Sequence, residues 1–346
     1  MKVWTRLESY SPDSERSLFL AVGNFDGVHR GHQKILESLV LHAKKVDGIP
    51  GVLTFSEHPQ RVLHRASKPP LLTSPQHRLL FFDQMGIESC FLLPFTLAFS
   101  RTSPEEFVEK WLVNRLKAKA IHLGYNAHFG AHRRGDGVMM KELSKRLGFE
   151  FLEVEPVKIK NQFVSSTAIR TAIQNGDLKL VEEFLGRRFG IFATVVRGKG
   201  RGRLLGSPTA NLQPHSEILP PCGVYPVEVR ERAFHLKPQK EAKNFFVYKK
   251  ERSGKWYQGV LNLGVRPTFE RGPADVVPEV HLFDFKGDLY GKSVEVIFHP
   301  RLREEREFGT SEELVQAIRQ DAENAKRYFA VSLYKNGPAD YNVANH

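Results

Sequence analysis

Cysteine is scarce in this sequence. Two cysteines, Cys90 and Cys222, occur among the 346 residues, and they do not form a CxxC pair. So small a number cannot build a zinc finger or a disulfide framework. This excludes the disulfide-rich secreted proteins and predicts a reducing compartment, which we take to be the cytoplasm.

Long hydrophobic runs are also missing. The longest apolar stretches, residues 18–22 and 90–95, are far shorter than the ~20 residues that span a bilayer. Residues 1–17 lack the apolar core of a secretory signal, so we expect none. The content of 41% hydrophobic and 26% charged residues is typical of a soluble globular protein, and it predicts no membrane partner.

Acidic residues are fewer than basic ones. The chain has 39 Asp and Glu against 51 Lys and Arg, which gives a formal net charge of +12. A basic surplus favours polyanionic partners such as nucleic acid, anionic lipid or small phosphorylated ligands. A solvated basic surface without a specific partner gives the same composition, so charge alone does not separate these classes.

The order of apolar and amphipathic segments changes along the chain. The length predicts about two domains. Residues 18–159 alternate short apolar runs with helical patterns, which is typical of a parallel sheet covered by helices. The second half has extended runs without intervening helices and predicts an antiparallel barrel or sandwich. Those runs are residues 191–198, 223–230, 244–250, 256–264, 278–285 and 293–300.

These patterns give a domain plan. We predict a first domain over residues 1–186, a second over 187–334 that closes with a helix at 311–329, and a loose tail over 335–346. Residues 230–257 are basic and are predicted to form an extended, exposed hairpin.

The most informative segment is VGNFDGVHRGHQKIL, residues 22–36. A predicted strand ends in the glycine-bearing turn, and a helix begins near Gly31. Glycines allow a ligand to approach the backbone closely, and a helix N-terminus suits phosphate. His29 and His32 are three residues apart, so both can donate hydrogen bonds to a phosphate as negative charge builds on it. Metal binding and an ordinary helix start remain alternatives, although no third ligand follows at a zinc spacing.

Two further segments carry phosphate chemistry. Ser165, Ser166 and Thr167 can cap a helix, and the same helix end can hold a triphosphate that Arg170 neutralises one turn later. Residues 197–212 are rich in glycine and cations, and alone they could be an RNA-binding loop or a solvated turn.

Thr209 and Asn211 stand out within that second segment. They are two residues apart and lie on the same side of an extended backbone. A hydroxyl and an amide oxygen are hard ligands, suited to Mg²⁺ that is shared with nucleotide phosphates.

In these motifs the sequence resembles the bacterial bifunctional riboflavin kinase/FAD synthetases, a subgroup of the HxGH nucleotidylyltransferases. The resemblance covers residues 18–330 with motifs in the family's order. Four departures occur: Ser56-Glu57 within TFxPHP, Asn126 at an often acidic position, Ala127 in place of Phe, and Ser207 in place of Phe. The segments that carry it are residues 23–32, 54–59, 124–136, 164–170, 197–212, 223–225, 259–269, 279–285, 289–291 and 302–308.

The resemblance implies an α/β Rossmann-like nucleotidylyltransferase domain followed by a Greek-key antiparallel β-barrel riboflavin kinase domain with a C-terminal helix. It implies phosphorylation of riboflavin to FMN by ATP, with Mg²⁺, and then transfer of AMP from ATP to FMN, which yields FAD and pyrophosphate. Small-molecule substrates (riboflavin, FMN and ATP) are then the partners, with no nucleic acid and no membrane, and a homo-oligomer is left open.

The resemblance also assigns roles to residues of this chain. Glu279, at the start of EVHLFDF, is the expected general base of the kinase, and His29 and His32 are the expected catalytic pair of adenylyl transfer. Thr209 and Asn211 are the expected metal ligands. The expected flavin-binding residues are Phe55, His58, Pro59 and Arg303. The expected nucleotide-binding residues are Gly23, Asn24, Phe25, Asp26, Gly27, Asn126, Ser166, Thr167, Arg170, Thr209 and Asn211.

Two rival interpretations remain at this point. The first domain could be degenerate because of Ala127 and Ser56-Glu57, although His29, His32 and Arg170 are intact. Alternatively, the chain could be a basic RNA-binding protein. That interpretation leaves the HxGH and PTAN motifs unexplained and lacks the aromatic motifs of RNA-binding modules.

Overall fold

The computed structural model describes residues 1–12, 15–63, 69–197, 209–232, 234–238, 245–250, 254–265 and 276–333. The predicted tail at 335–346 lies outside the described residues, as do most of the glycine-rich segment 197–212 and the Arg266–Phe269 part of a family motif. Two compact units are present. Within the described residues, one contains Met1–Ser166 and His235–Lys250, and the other contains Thr167–Phe234 and the chain after Glu251.

Strands account for the core of both units. In the first unit they are β1 (Lys2–Trp4), β2 (Leu18–Val22), β3 (Ile49–Phe55), β4 (Ser89–Leu93), β5 (Ala118–Gly124), β6 (Glu150–Val154), and the small hairpin of β7 (Lys158–Ile159) and β8 (Gln162–Phe163). Then follow β9 (Gly190–Val196), β10 (Ala210–Pro214), β11 (Gly223–Glu231), β12 (Phe234–Pro238), β13 (Phe246–Lys250), β14 (Tyr257–Val265), β15 (Val276–Leu282) and β16 (Ser293–Phe298).

Helices connect these strands. They are α1 (Arg30–Lys45), α2 (Pro59–Leu63), α3 (Pro75–Gln84), α4 (Pro104–Glu106, continued as a π-helix over Phe107–Arg115), α5 (Gly137–Leu147), α6 (Ser166–Gln174), α7 (Leu178–Leu185) and α8 (Ser311–Leu333). Short 3₁₀ turns lie at Leu7–Ser9, Phe99–Arg101 and Ala131–Arg133.

The first unit is built on a twisted sheet in the order β12-β13-β1-β4-β3-β2-β5-β6. Strands β1 to β6 run parallel, and β13 pairs antiparallel with β1. The central strands are almost continuously apolar and buried, as in LFLAV of β2, because helices cover both faces of a parallel sheet. The predicted α/β domain is thereby confirmed.

The strand order marks where a ligand can enter. From β2 the chain builds the sheet through β3 and β4 to one side, and then crosses back to add β5 and β6 on the other side. The loops that follow β2 and β5 therefore leave in opposite directions and open a crevice at the carboxyl edge of the sheet. Ligands of open α/β sheets bind at this kind of switch point.

The second unit is a closed antiparallel barrel in the order β10-β15-β14-β11-β16-β9. Helix α8 packs on its outer surface, where Ala325 and Phe329 contact Val224, Val260 and Phe283. The predicted antiparallel barrel and its closing helix are confirmed.

The membership of the barrel differs from the sequence expectation. Residues 244–250 were predicted as a barrel strand, but Phe246–Lys250 form β13 in the sheet of the first unit, and the barrel contains β10 instead. Strand β13 lies there because Phe245 packs on Trp4 with ring centroids 4.6 Å apart, and the Tyr248 amide donates to the Met1 carbonyl at 2.9 Å. The basic hairpin predicted at 230–257 therefore extends a sheet.

A chain of polar contacts joins α1 to the sheet beneath it. The Ser38 hydroxyl lies 3.3 Å from Nδ1 of His122, and Nε2 of that ring lies 3.1 Å from Nδ1 of His42. The other nitrogen of His42 is 3.4 Å from Glu150. His122 is fully buried, and burial together with the neighbouring His42 lowers the pKa of His122 from 6.5 to about 4.

This chain predicts a loss of stability in mild acid. In the unfolded state His122 gains a proton as the pH falls below 6.5, whereas in the folded state it stays neutral until about pH 4. The free energy of unfolding of the first unit should therefore fall by about 2 kcal/mol between pH 7 and pH 5 because of this residue. In the variant His122→Gln, we expect the free energy of unfolding of the first unit to depend less on pH. The measurement is denaturant titration at pH 7 and at pH 5. An equally steep loss of stability in His122→Gln would contradict the assignment.

Candidate active sites

The turn after β2 is held in an unusual backbone conformation. Phe25 and Val28 have positive φ angles of 50° and 38°, and Gly27 has a φ of 89°. A Cβ on Gly27 would lie 2.8 Å from the side chain of Leu72, so only glycine fits there. The buried Phe25 ring anchors this segment against Phe82, at 5.7 Å between centroids. We call residues 23–27, which the sequence predicts to bind nucleotide phosphates, the phosphate loop.

Asp26 fixes the phosphate loop from within. Its carboxylate accepts hydrogen bonds from the Leu72 amide at 2.9 Å and the Thr73 amide at 3.0 Å. The Thr73 hydroxyl in turn accepts from the Gly27 amide at 2.9 Å. The structure gives Asp26, predicted as a nucleotide-binding residue, this role in holding the loop.

The imidazole rings of His29 and His32 lie face to face at the start of α1. Their ring centroids are 3.6 Å apart and the ring planes differ by 16°. His29 is the N-cap residue, and its Nδ1 accepts from the His32 amide at 3.3 Å. Because Nδ1 accepts, the proton of the neutral His29 ring is on Nε2, where it can be donated to a ligand. Gly31 allows this arrangement, since a Cβ there would lie 3.2 Å from the His29 ring.

Helix α6 begins next to the phosphate loop. The Ser166 hydroxyl, at its first residue, donates to the Asp26 carbonyl at 2.9 Å. Thr167 and Arg170 follow on the same helix, Thr167 being exposed and Arg170 half-buried. Ser166, predicted as a nucleotide-binding residue, is thus in contact with the loop through this hydrogen bond.

The segment after β5 forms the other side of the crevice. The Tyr125 amide donates to Val154 at 3.1 Å, and Ala127 closes a tight turn on Gly124 at 2.9 Å, so that Asn126 is exposed at the tip. Phe129 and Gly135 then pair through two backbone hydrogen bonds. Asn126 therefore lies at the switch point defined by β2 and β5.

A pocket opens beside the ends of β3 and β4. Its volume is about 470 Å³. Phe55 lies at the end of β3 and contacts Phe95 and Phe99, with ring centroids 5.1 and 5.6 Å away. The residues that line the pocket are Ser56, Glu57, Arg61, Val62, Pro94, Phe95 and Thr96.

The other predicted flavin residues of this unit lie next to that pocket in the chain. His58 accepts a hydrogen bond from the Gln60 amide at 3.3 Å, and Pro59 starts α2. The departure from the family pattern, Ser56-Glu57, lines the pocket itself. It therefore alters the wall of a pocket that is nevertheless formed.

In the second unit, three strands align polar residues in one row. Asn211 of β10 lies directly opposite Glu279 of β15, and Glu279 lies opposite Asn262 of β14. Opposed residues of antiparallel strands share a face, with Cβ atoms about 4.5–5.5 Å apart. Thr209 lies just before β10, two residues from Asn211. The structure therefore brings the predicted base and a predicted metal ligand side by side.

Arg303, predicted to bind flavin, is held by helix α8. Its guanidinium donates to both carboxylate oxygens of Asp321, at 2.8 and 2.7 Å. Its backbone bridges Val224, which is opposite Asn262 in the row just described. Arg303 is thus fixed at the end of the polar row.

The oxygen donors of this row suit a hard cation. Among the residues that the structure describes, no three His, Cys, Asp or Glu side chains could together hold one metal ion. Thr209 and Asn211 offer a hydroxyl and an amide oxygen, and Mg²⁺ commonly takes one or two protein ligands together with phosphate oxygens. The donor set is therefore compatible with Mg²⁺ that is held mainly by a nucleotide.

Sequence reasoning missed several residues of these sites. Asn262 is the one polar side chain in the apolar run GVLNLG, which was a usable signal. Asp321 and Arg78 gave no signal, because each looks like an ordinary charged residue of an amphipathic helix. Arg78 is nevertheless buried, and it contacts the phosphate loop.

The fold and the paired imidazoles define the first unit as an α/β nucleotidyltransferase. Two family profiles match the chain, that of the FAD synthetases over residues 11–168 and that of the riboflavin kinases over residues 185–329. The chain belongs to the bifunctional riboflavin kinase/FMN adenylyltransferase family. The predicted family and its two activities are confirmed, and ATP, riboflavin and FMN are the substrates that those activities imply.

Individual relatives agree with this membership. The bifunctional riboflavin kinase/FMN adenylyltransferase of Haemophilus influenzae is 34% identical over 310 residues, 90% of this chain and 94% of the relative. The Bacillus subtilis enzyme of that name is 34% identical over 315 residues, 90% of this chain and 92% of the relative.

A solved structure covers the same length. The crystal structure of a protein described as a macrolide-efflux protein from Streptococcus pneumoniae has a TM-score of 0.77 at 27% identity, over 94% of this chain and 98% of that one. In the described part of the present chain, no helix has the length and apolar character needed to cross a membrane.

Proposed function

We propose that the polar row of the second unit phosphorylates riboflavin and that the imidazole pair of the first unit adenylylates FMN. The observation that carries the first assignment is the cross-strand alignment of Asn211, Glu279 and Asn262. The second assignment rests on the stacked rings of His29 and His32 beside the phosphate loop.

In the kinase step, Glu279 accepts the proton of the ribityl 5′-hydroxyl while that oxygen attacks the γ-phosphorus of ATP. The new O–P bond forms as the bond to the bridging oxygen breaks, and ADP leaves. Thr209 and Asn211 would hold Mg²⁺, which when bound neutralises charge on the nucleotide phosphates. Arg303, fixed by Asp321, borders the position proposed for the flavin.

In the adenylyl step, a phosphate oxygen of FMN attacks the α-phosphorus of ATP and pyrophosphate leaves. His29 and His32 donate hydrogen bonds to the oxygens on which charge accumulates. We assign the phosphates to the phosphate loop and the α6 N-terminus, with Ser166, Thr167 and Arg170. The pocket beside Phe55 is lined in part by Val62, Pro94 and Phe95, against which an isoalloxazine ring could pack.

One assay tests both assignments. Purified protein is incubated with riboflavin, ATP and Mg²⁺, and the flavins are separated by chromatography at successive times. FMN should rise first and FAD should follow. If FMN accumulated without FAD, and added FMN were not converted, the first unit would be degenerate. If no FMN formed from riboflavin, the kinase assignment would be wrong, and if added FMN also gave no FAD, the adenylyl-transfer assignment would be wrong as well.

We further propose that the two activities divide near residues 186–187. A fragment of residues 187–346 should form FMN and no FAD, because it contains all six strands of the barrel, although it omits the part of the second unit that precedes residue 187. A matched fragment with residues 235–250 replaced by a short turn should be more soluble, since β13 lacks its partner β1 in the fragment. FAD formation by either fragment would contradict the division.

The cytoplasm stays our predicted compartment because Cys90 and Cys222 are unpaired.

A further inference from the structure

Arg78 is a buried cation at the base of the adenylyl-transfer site. It lies on α3 and is 4% exposed. One terminal nitrogen donates to the Asn24 carbonyl at 2.7 Å and the Thr54 hydroxyl at 2.9 Å. The other donates to the Phe55 carbonyl at 2.6 Å. A single planar guanidinium therefore joins the phosphate loop to the end of β3.

These contacts join the two substrate sides of the site. Asn24 belongs to the phosphate loop, whereas Phe55 directly precedes the pocket residue Ser56 and contacts the pocket residue Phe95, with ring centroids 5.1 Å apart. The Thr54 hydroxyl also donates to the Asn24 carbonyl at 3.1 Å. The distance between the loop and the pocket is thus fixed by hydrogen bonds that converge on Arg78.

The same stretch of chain holds the loop at a second point. Leu72 and Thr73 donate to Asp26, and Ser74 caps α3 by accepting from the His77 amide. Residues 72–78 therefore grip the phosphate loop at Asn24 and at Asp26. A loop held twice by one rigid helix start cannot shift without moving both anchors.

Complete burial of a cation costs desolvation free energy unless its N–H groups donate hydrogen bonds within the protein. Burial lowers the pKa of Arg78, and the Asp26 carboxylate of the loop offsets part of that shift. Only arginine presents several donors in a rigid fork that can reach two carbonyls and a hydroxyl at once. A lysine at this position would keep the charge and lose the fork.

We propose that Arg78 is a positioning residue for adenylyl transfer, which sets the separation between the nucleotide phosphates on the phosphate loop and the flavin beside Phe55. This inference rests on the proposed function of the first unit. Arg78 acts by positioning the substrates, because a misplacement of about 1 Å between reacting groups can lower the rate about 100-fold.

The test compares Arg78→Lys with a matched arginine of the same unit. Arg115 also donates to backbone carbonyls, those of Leu7, Glu8 and Tyr10, on the N-terminal segment. We expect Arg78→Lys to lower kcat for FMN adenylylation by about 10–100-fold, with a smaller change in the KM for ATP. Arg115→Lys should lower the melting temperature and leave kcat unchanged. Riboflavin phosphorylation by the same preparations should be normal in both.

The outcomes separate clearly. The positioning role would be overturned by normal adenylylation in a folded Arg78→Lys enzyme, or by an equal loss of kcat in Arg115→Lys. In either case, FAD formation by the unaltered chain would still uphold the proposed function. No FAD from the unaltered chain would instead refute the proposed function. If Arg78→Lys failed to fold, Thr54→Val would decide, because it removes one partner of Arg78 and one donor to Asn24. A 3–10-fold fall in kcat is then expected, and an unchanged kcat would overturn the inference.

Discussion

An enzyme in which His29 or His32 is replaced by alanine is expected to convert FMN into FAD at least ~100-fold more slowly. Each substitution removes a hydrogen-bond donor from a site where negative charge grows on the oxygens of the attacked α-phosphate. The stacked rings lie at the first turn of α1, beside the phosphate loop. The measurement is the steady-state rate of FAD formation from supplied FMN and ATP.

His29 offers a matched control, because it is also the N-cap of α1. His29→Asn keeps a capping side chain, whereas His29→Ala loses it at a cost of about 1 kcal/mol in stability. The two variants should therefore differ in melting temperature and share the same low rate. If His29→Asn were as active as the unaltered chain, the residue would be a cap and not a catalytic donor.

The second activity is an internal control for both histidines. We assign riboflavin phosphorylation to the polar row of the barrel, so its rate should stay near normal. A parallel fall of both activities in a well-folded variant would mean that the two reactions share one site, contrary to our assignment.

The other large effect is expected for Glu279→Gln. Glutamine keeps the size and the hydrogen-bonding reach of the side chain, and it has a fitting place between Asn211 and Asn262. It cannot take the proton of the ribityl hydroxyl. FMN formation should fall by ~10²–10⁴-fold with little change in ATP affinity, and supplied FMN should still become FAD.

Thr209→Ala supplies the contrast. It removes a proposed metal ligand, so it should weaken the binding of Mg·ATP as well as turnover. Calorimetric ATP affinities and steady-state kinetics of the kinase distinguish the two patterns. Near-normal riboflavin phosphorylation by Glu279→Gln would eliminate Glu279 as the base, and Asp284 or Asp288 would be tested next.

Local signals were enough to predict much of the fold. The alternation of apolar runs with helical patterns over residues 18–159 predicted the parallel sheet of the first unit, because burial on both faces dictates the composition of its strands. The pairing of β13 with β1 could not be predicted in this way. An alternating pattern shows that a segment is a strand, but it does not show which sheet supplies the neighbour. Strand β10 was not predicted as a barrel strand, because the PTAN motif at residues 208–211 was interpreted only for its ligand chemistry.

The candidate sites divide along the same line. Chemistry concentrated in a short motif, such as the histidine pair, is visible in the sequence. The alignment of Asn211, Glu279 and Asn262 depends on the register of three strands, which no local pattern specifies. Arg78 was invisible for a further reason, because burial of a cation becomes evident only when its carbonyl partners are seen.

The pairing of β13 with β1 has a consequence for how the protein is made. Strand β1 leaves the ribosome long before its partner β13, which follows only after β2 to β12 have been synthesised. At ~5–20 residues per second, the outer edge of β1 waits on the order of tens of seconds for that partner. During this interval Trp4 lacks the Phe245 ring on which it packs. The nascent chain therefore exposes an open strand edge until well into the synthesis of the barrel, which is the period when it most needs protection from other chains.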